Sequence, residues 1–362
     1  MLNKKPAFTL IELLVVIAII GILATVSILS LTNARAKSRD AKRAGDMKQV
    51  QTALELFFND NNRYPTSSEW AMGKIFSTST TGTSTYMQII PTASTPIDGA
   101  CTSNQNTFYY TQTEGGNSYT ISFCLGNTTG TLASGPKCLT PGGIVDVDCV
   151  PCGIKQVAFS TIAGHACNAG SPDYDRCVYD TVLIGEQCWL KQNMNVGDIV
   201  LGAADQSNNS ILEKYCFNDA YGNCQTNGGL YQWDEAMQYS VAESAQGLCP
   251  SGWHMPTDAE WHALEDYLTD PPNTCTADRN DLWECANAGT KLKTGGTTGF
   301  EALFAGIRYL DGLFYDQGAS TGFWSSTING GANAWYRSLM GAEVFRDEYE
   351  HINGWSVRCL QD

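Results

Sequence analysis

A short basic leader followed by a long apolar run constrains the fold of this chain more than any other feature. Residues 1–7 contain Lys4 and Lys5, and residues 8–31 contain one charged side chain, Glu12. As a helix the run would extend roughly 36 Å, enough to cross a bilayer core of about 30 Å. A secretory signal peptide differs, because its apolar region precedes the cleavage site. The lysines are expected to stay cytoplasmic, which leaves the rest of the chain outside.

Glu12 needs a functional explanation, because a carboxylate inside a membrane helix costs on the order of a few kcal/mol. Cleavage after Ala7 would make Phe8 a new N-terminus with a positively charged amine. The Glu12 carboxylate could then neutralise that amine, in its own chain or in a neighbouring copy. The alternative is an ordinary membrane anchor that tolerates one glutamate near its end.

Residues 5–12, Lys-Pro-Ala-Phe-Thr-Leu-Ile-Glu, closely resemble the class III leader of type IV pilins and type II secretion pseudopilins. The resemblance implies that a prepilin peptidase cuts between Ala7 and Phe8 and methylates the Phe8 amine. Glu12 would guide docking into a helical filament built of copies of this chain or other pilins. The chain would lie in the cytoplasmic membrane before assembly and in an extracellular surface filament afterwards.

The helix is predicted to continue as a stalk, so that residues 8–60 form one transmembrane and stalk element. An apolar stripe at helical spacing is expected to pack on the chain's own globular domain; its members are Met47, Val50, Ala53, Leu54, Phe57 and Phe58. A basic run, comprising Arg35, Lys37, Arg39, Lys42 and Arg43, is expected to lie by the membrane or pair with acidic groups of neighbouring subunits. Nucleic acid is not an expected partner, because the net charge is −15.

Cysteine usage indicates an exported protein. Fourteen cysteines lie between Cys101 and Cys359, outside the predicted stalk. An even number confined to the translocated part predicts a disulfide framework in an oxidising compartment. Two nearby pairs would close short loops, namely Cys216 with Cys224 and Cys275 with Cys285.

Residues 61–140 are predicted to form a small antiparallel β domain, with strands around 107–112 and 118–125 joined by a glycine-rich turn. This segment resembles the small sheet that packs on a pilin stalk, and Cys101 and Cys124 would brace it. Residues 141–172 form a cysteine-rich connector that includes Cys149-Val-Pro-Cys152. Structural disulfides are favoured there. A zinc site with Cys138 and Cys167, or a redox site, are the alternatives.

Residues 173–362 carry several tryptophan-rich motifs. They include Gly-Leu-Cys-Pro-Ser-Gly-Trp-His-Met-Pro-Thr at 247–257, before a helix that Thr257 and Glu260 would cap, and apparent short strands at 306–309, 322–327, 334–339 and 354–359. Together they resemble the Fibrobacter succinogenes major paralogous domain, which is similar to C-type lectin folds. The resemblance implies an α+β, lectin-like domain in which Cys249 pairs with Cys359.

Polar loops of this domain are the best-placed ligand contacts, namely Asp311, Tyr315, Asp316 and Asn329. Three tryptophans (Trp324, Trp335 and Trp355) and three arginines (Arg308, Arg337 and Arg358) are expected to be mainly structural. The calcium-binding triplets of sugar-binding C-type lectins are absent from the sequence, as are a metal-binding histidine pattern and a nucleophile elbow. No metal, cofactor or enzyme activity is therefore expected.

The sequence as a whole predicts a filament subunit that displays an adhesive head, with a surface glycan or another cell-surface ligand as its target. Two alternatives remain. One is a type II secretion pseudopilin, although a head of this size is not needed for that role. The other is a surface enzyme carried on a pilin anchor.

Overall fold

A computed structural model of the chain describes residues 10–79, 82–99, 101, 105–158 and 178–362. These residues form two compact units, one ending at Pro151 and the other running from Cys152 to Asp362. The boundary lies inside the segment predicted as a connector. Both units combine helices with mainly antiparallel strands, which confirms the predicted α+β class.

The first unit contains the long helix α1 (Leu10–Asn61), close to the predicted 8–60. By length and composition, α1 is long and apolar enough to cross a membrane, with a mean hydropathy of 2.8 over an 18-residue window. Its apolar side chains near the N-terminal end face outward: Leu10 is 77% exposed and Ile22 is 65% exposed. Such a surface is suited to lipid or to neighbouring helices rather than to water.

Short elements follow α1 in the first unit. Helix α2 (Ser67–Trp70) begins at a capping box between Thr66 and Glu69. The strands are β1 (Ile75–Ser79), β2 (Gly82–Met87), β3 (Tyr110–Thr113), β4 (Ser118–Leu125), β5 (Gly135–Thr140) and β6 (Gly143–Val145). Strands β1 and β2 form a hairpin, and β3 to β6 form an antiparallel sheet in sequence order. The strand predicted at 107–112 begins three residues later.

The C-terminal half of α1 packs on this sheet through the predicted apolar stripe. Five stripe residues are buried and Phe58 is partly buried, in one cluster with Tyr119, Ile121 and Leu139. Burying a large apolar side chain contributes about 1.5–3 kcal/mol. The stripe therefore attaches the stalk helix to its own β domain, as its helical spacing predicts.

Two of the basic stalk residues have partners within the chain. Arg39 and Arg43 both bind the Asp98 carboxylate, at 2.5 Å and 3.1 Å, and Arg43 also binds Asp40 at 2.6 Å. Asp40 in turn accepts the backbone N–H groups of residues 126 and 127. The prediction that the basic run serves the membrane or neighbouring subunits is thus wrong for Arg39 and Arg43. Arg35, Lys37 and Lys42 remain exposed.

The second unit is built from short helices and curled sheets. Its helices are α3 (Tyr221–Asn227), α4 (Trp233–Ala236), α5 (Asp258–Leu268) and α6 (Ala288–Leu292). Its first strands are β7 (Gln156–Ala158), β8 (Val178–Ile184), β9 (Gln187–Leu190), β10 (Asp198–Ile199), β11 (Glu213–Lys214) and β12 (Trp253–His254). The later strands are β13 (Leu282–Glu284), β14 (Ile307–Arg308), β15 (Phe314–Tyr315), β16 (Thr321–Ile328), β17 (Asn333–Leu339), β18 (Val344–Glu350) and β19 (Leu360–Gln361).

Two sheets dominate the second unit. One has the order β12-β19-β9-β8-β7 and the other the order β13-β18-β17-β16, and all their pairings are antiparallel. Helix α5 starts at the predicted capping box of Thr257 and Glu260. Its apolar face buries Trp261, Leu264 and Leu268. This face forms a core with Trp189 and Phe323.

For two segments of this unit, the strands predicted from the sequence differ from those in the structure. Residues 354–359, predicted as a strand, make only isolated bridges, and the last strand is β19. Strand β18 was not predicted, because Val-Phe-Arg-Asp-Glu-Tyr-Glu is too charged for a typical buried strand. The structure shows why this charged segment forms a strand. Arg346 is buried against Asp258 at 2.8 Å, while Phe345 and Tyr349 point to the other face.

Six disulfides join described cysteines. The four expected pairs are among them: Cys101–Cys124, Cys216–Cys224, Cys249–Cys359 and Cys275–Cys285. The other two are Cys138–Cys149 and Cys152–Cys188. The Cys249–Cys359 bridge spans 110 residues, and closing a loop of that length contributes about 4–5 kcal/mol in the entropic account.

Candidate functional site

The predicted processing site lies at the edge of the described chain. Ala7 and Phe8 lie outside the described residues, and for Glu12 the structure describes only the backbone, within α1. The cysteine motif has a clear geometry: Cys149 pairs with Cys138, whereas Cys152 pairs with Cys188. Because its two cysteines bind different partners, the motif is neither a redox disulfide nor part of the proposed zinc set. Cys167 lies outside the described residues.

The sheet of β13, β18, β17 and β16 has two contrasting faces, because successive side chains of a strand point to opposite sides. Arg337 pairs in register with Arg346, and both side chains point toward α5. The residues next to this arginine pair point to the opposite face of the sheet. There Tyr336 is paired with Asp347, and Ser338 is paired with Phe345. The first face is an ion-paired core, and the second is the floor of a cleft.

The α5 face is a buried network of charges. Glu265 is fully buried and accepts hydrogen bonds from Arg337 Nε and Arg279 Nη2, both at 2.5 Å. Asp258, at the first turn of α5, binds Arg337 at 2.7 Å and Arg346 at 2.8 Å. Burial tends to raise the Asp258 pKa, but its two arginines outweigh that effect and lower it. The network fixes β17 and β18 against the helix.

The opposite face carries an aromatic cleft with a volume of about 560 Å³. Seven aromatic side chains line it: Trp283, Tyr309, Tyr315, Tyr336, Phe345, Tyr349 and Trp355. Tyr336 stacks on Trp355 with ring centroids 5.0 Å apart, and Tyr349 meets both rings edge-on. A cleft of this size and composition is typical of a site for a small molecule or for one or two sugar rings.

Two carboxylates of the predicted loop lie at the rim of the aromatic cleft. Asp311 accepts the Leu313 N–H at 2.9 Å and the Tyr315 O–H at 2.8 Å. These two hydrogen bonds lower the Asp311 pKa, the backbone one most, so the carboxylate stays ionised at neutral pH. Asp316 also lines the cleft and has a left-handed backbone with φ of 66°. Aspartate tolerates that conformation better than most residues.

One wall of the aromatic cleft contains an unused hydrogen-bond donor. The indole N–H of Trp355 has no partner among the described residues, although Trp355 is only 5% exposed. Leaving a buried donor unpaired costs about 1–3 kcal/mol. The ring can lie there because β16 has Gly322 beneath it, where a Cβ atom would collide with the indole.

A second, more polar cavity of about 380 Å³ adjoins the cleft and shares Tyr309 and Tyr349 with it. Three acidic residues line this cavity, namely Asp347, Glu348 and Glu350, and by the alternation of β18 the Asp347 side chain is the one on the cleft face. Burial raises the pKa of Asp347 first, and the nearby negative charges of Asp281 and Glu348 raise it further. We refer to the two neighbouring cavities together as the groove, which has aromatic walls at the cleft and acidic residues at its other end.

The structure brings three of the four predicted ligand residues together. Asp311, Tyr315 and Asp316 line the aromatic cleft, and Tyr315 is 43% exposed. Asn329 lies elsewhere, because its side chain donates to Glu348 and its N–H donates to the Asn333 carbonyl at 2.9 Å. Asn329 therefore acts on the groove only through Glu348.

The tryptophans and arginines singled out in the sequence divide by environment. Trp324 is buried and donates to the Tyr231 carbonyl, and Trp335 lies on the α5 face under Arg346. Only Trp355 of these three tryptophans lines the cleft. The three arginines are buried, as expected: Arg308 binds Asp205 and Arg337 binds Asp258 and Glu265. Arg358 donates to Asn193 and to backbone carbonyls.

Sequence reasoning missed most of the aromatic walls, namely Trp283, Tyr309, Tyr336, Phe345 and Tyr349. The available signal was the alternation within 344–350, where Phe345, Asp347 and Tyr349 occupy every second position. A period of two places such residues on one face of a strand. The charged residues at the intervening positions, Arg346 and Glu348, obscure this alternating pattern.

One cluster of potential metal ligands occurs among the described residues, and it is not suited to a metal. Its members are His262, Glu265 and Cys275. Cys275 is in a disulfide and Glu265 is held by two arginines. His254 is also structural, because it lies between Glu260 and Asp362, and these acids, Glu260 first, raise its pKa.

Comparison with known protein families matches both ends of the chain. Residues 2–28 match the prokaryotic N-terminal methylation motif. Residues 182–361 match the Fibrobacter succinogenes major domain. The chain carries a prepilin-type N-terminus and a Fibrobacter succinogenes major domain. Both resemblances inferred from sequence motifs are thus confirmed.

Characterised relatives match only the N-terminal part. The type II secretion system core protein G of Aeromonas hydrophila is 38% identical over 67 residues, which are 18% of this chain and 47% of that protein. The corresponding protein of Escherichia coli K12 is 36% identical over 67 residues, 18% of this chain and 46% of its own length. The type IV major pilin PilA of Myxococcus xanthus is 42% identical over 61 residues, 17% of this chain and 28% of the pilin.

The chain thus spans about half of the secretion proteins and less of the pilin. These matches establish homology of the N-terminal region to pilins and pseudopilins. No solved structure matches the chain, so the lectin-like comparison of the second unit stays a prediction.

Proposed function

We propose that this protein is a prepilin whose mature form is a subunit of a type IV pilus-like surface filament, and that its second unit is an adhesive head that binds a glycan in the aromatic cleft. The methylation motif and the pilin relatives support the first part. The observation that carries the second part is the aromatic cleft itself, which combines ring faces with two rim carboxylates. Sugar sites combine stacking aromatic rings with polar groups in this way.

Prepilin peptidase would process the chain in the cytoplasmic membrane, where it would stay until it is assembled into the extracellular filament. The exposed apolar surface of α1 suits both environments in turn. The disulfides suit the oxidising exterior. We propose no catalytic activity for the head, and its rim carboxylates would bind rather than react.

The first prediction concerns processing. Mass spectrometry of the N-terminal peptide from the membrane-extracted protein should find a chain that begins at N-methylated Phe8. The physical basis is the small residue Ala7 before the apolar run, with the Glu12 carboxylate four residues after the new amine. Retention of Met1, or cleavage beyond Leu31, would contradict the prepilin assignment.

The second prediction concerns the ligand site. The detergent-solubilised full chain should bind glycans on an array, and Tyr315→Ala should weaken binding roughly three- to tenfold, because one stacking ring is worth about 0.5–1.5 kcal/mol. Asp316→Ala should weaken it as well. Asp266→Asn, a change of an exposed α5 residue, is the control and should not matter. Binding that both cleft variants retain in full would place the ligand elsewhere.

A pseudopilus subunit is the second candidate function, because several relatives are type II secretion core proteins. Electron microscopy of sheared cell surfaces, with mass spectrometry of the filaments, separates the two. A pilus subunit should be abundant in the sheared filaments. A pseudopilin should be absent from them, and its deletion should stop protein secretion.

A further inference from the structure

The groove is acidic and has no cationic lining group among its described residues. Two acidic residues line the aromatic cleft and three line the adjoining cavity, and none of the described residues lining either cavity is lysine or arginine. The arginine next to Asp347 in sequence points to the opposite face, where Asp258 holds it. The guanidinium of Arg308 is likewise turned to the Gly202 carbonyl and Asp205. These arginines partly offset the charges of Asp311 and Asp347 from behind the walls, but neither arginine lines the groove, so its lining favours a positively charged ligand.

The aromatic walls favour the same sign of ligand charge. The face of a tyrosine or tryptophan ring attracts a cation within about 6 Å of its centre. Tyr309 and Tyr349, the two rings common to both cavities, lie 6.2 Å apart and stand between the rim carboxylates and the acidic end. An ammonium group at this junction would contact ring faces and lie near carboxylates on both sides.

The positive charge nearest to the Asp347 carboxylate is that of Arg346, whose guanidinium binds Asp258 on the other face of β18. The Asp347 carboxylate is partly buried on the cleft face of β18, and its pKa is raised by burial and by the neighbouring negative charges. A positive ligand group would relieve this repulsion. The aromatic rings of the cleft, in contrast, offer apolar faces on which a sugar ring can stack. The same ligand must therefore offer both a stacking ring and a cation.

From these features we infer that the groove selects a glycan that carries free amino groups, such as an oligosaccharide of glucosamine, over neutral and acidic glycans. One sugar ring stacks on the rings of the aromatic cleft, while ammonium groups lie at the rim and in the adjoining acidic cavity. A basic peptide fits the charge but not the stacking surface. This inference rests on the proposed glycan-binding function and specifies its ligand class.

The test compares two probes with the same sugar backbone, one with free amines that are protonated at mildly acidic pH and one with uncharged acetamido groups. The affinity of the full chain in detergent is measured for a β-1,4-linked glucosamine hexasaccharide and for its N-acetylated counterpart. The free-amine probe should bind at least about tenfold more tightly at ~50 mM salt, because several weak ion pairs add up. The ratio should fall severalfold at ~500 mM salt, where the screening length shortens.

Variants then show which carboxylates produce the preference for the free-amine probe. Asp311→Asn and Asp347→Asn remove one negative charge each with little change of shape, and each should lower the ratio of the two affinities. Asp266→Asn removes an equal charge from the α5 surface and should leave the ratio unchanged. The salt dependence of the unmodified chain tests the inference even if one variant folds poorly.

Three outcomes would overturn the inference. Equal affinity for both hexasaccharides, with binding still weakened in Tyr315→Ala, would refute the charge selection while the glycan-binding head stands. Tighter binding of an acidic polyuronate would refute it in the same way. Equal or tighter binding of a lysine hexapeptide would refute the saccharide part, because it would show that charge alone suffices.

Discussion

Replacing Glu12 with alanine is expected to reduce the yield of assembled filament at least tenfold while leaving membrane insertion intact. The variant makes the segment 8–31 more apolar, so insertion becomes easier. The amine of processed Phe8 then enters the filament core without its counter-charge. An unpaired charge in an apolar environment costs on the order of several kcal/mol, and tenfold corresponds to about 1.4 kcal/mol.

Sheared filament and membrane-bound protein are to be quantified by immunoblot in the same cells. Thr25→Ala is the matched control: Thr25 lies in the same helix, and its hydroxyl is exposed and bonds only the Ile22 carbonyl at 2.8 Å. Losing that polar group should leave the yield unchanged. Filament from Glu12→Ala at the level of the unmodified chain would show that docking needs no charge pair.

The first unit was predictable because its signals are local. The 3.6-residue spacing of Met47, Val50 and Leu54 specifies both the helix and the face that packs on the sheet. The network of Arg39, Arg43 and Asp98 was not predictable in this way. Asp98 lies more than 50 residues beyond its partners, and a charge pattern alone does not show whether a partner lies in the same chain.

The groove of the second unit was predictable only at its rim. Asp311, Tyr315 and Asp316 lie in one glycine-rich loop, so their proximity follows from the sequence. The walls come from four separate segments that only the sheet register brings together, such as Tyr336 beside Asp347 and Trp283 beside Phe345. Strand β18 also has aromatic residues on one face and arginine on the other. A hydrophobicity pattern cannot distinguish such a strand from a charged loop.

The largest expected loss of stability comes from Glu265→Ala. Glu265 is buried between Arg279 and Arg337, with both N–O distances at 2.5 Å. Removing its carboxylate leaves two buried guanidinium groups without that counter-charge, and breaking a buried pair by removing one partner costs about 3–5 kcal/mol. The free energy of unfolding of the second unit should fall by that amount. Denaturant titration followed by tryptophan fluorescence reports on this unit, because all tryptophans except Trp70 lie in it.

The neighbouring exposed carboxylate provides the control, since Asp266→Asn should change the stability by no more than about 0.5 kcal/mol. A loss below about 1 kcal/mol for Glu265→Ala would show that water or a local shift replaces the carboxylate. The Glu265→Ala variant also tests whether the charged face of the sheet positions the aromatic face. Arg337 and Tyr336 are consecutive in β17, so a strand that loses its anchor on α5 also loses the position of the Tyr336 ring in the cleft. Ligand affinity should therefore fall together with stability, although Glu265 itself lies on the opposite face from the groove.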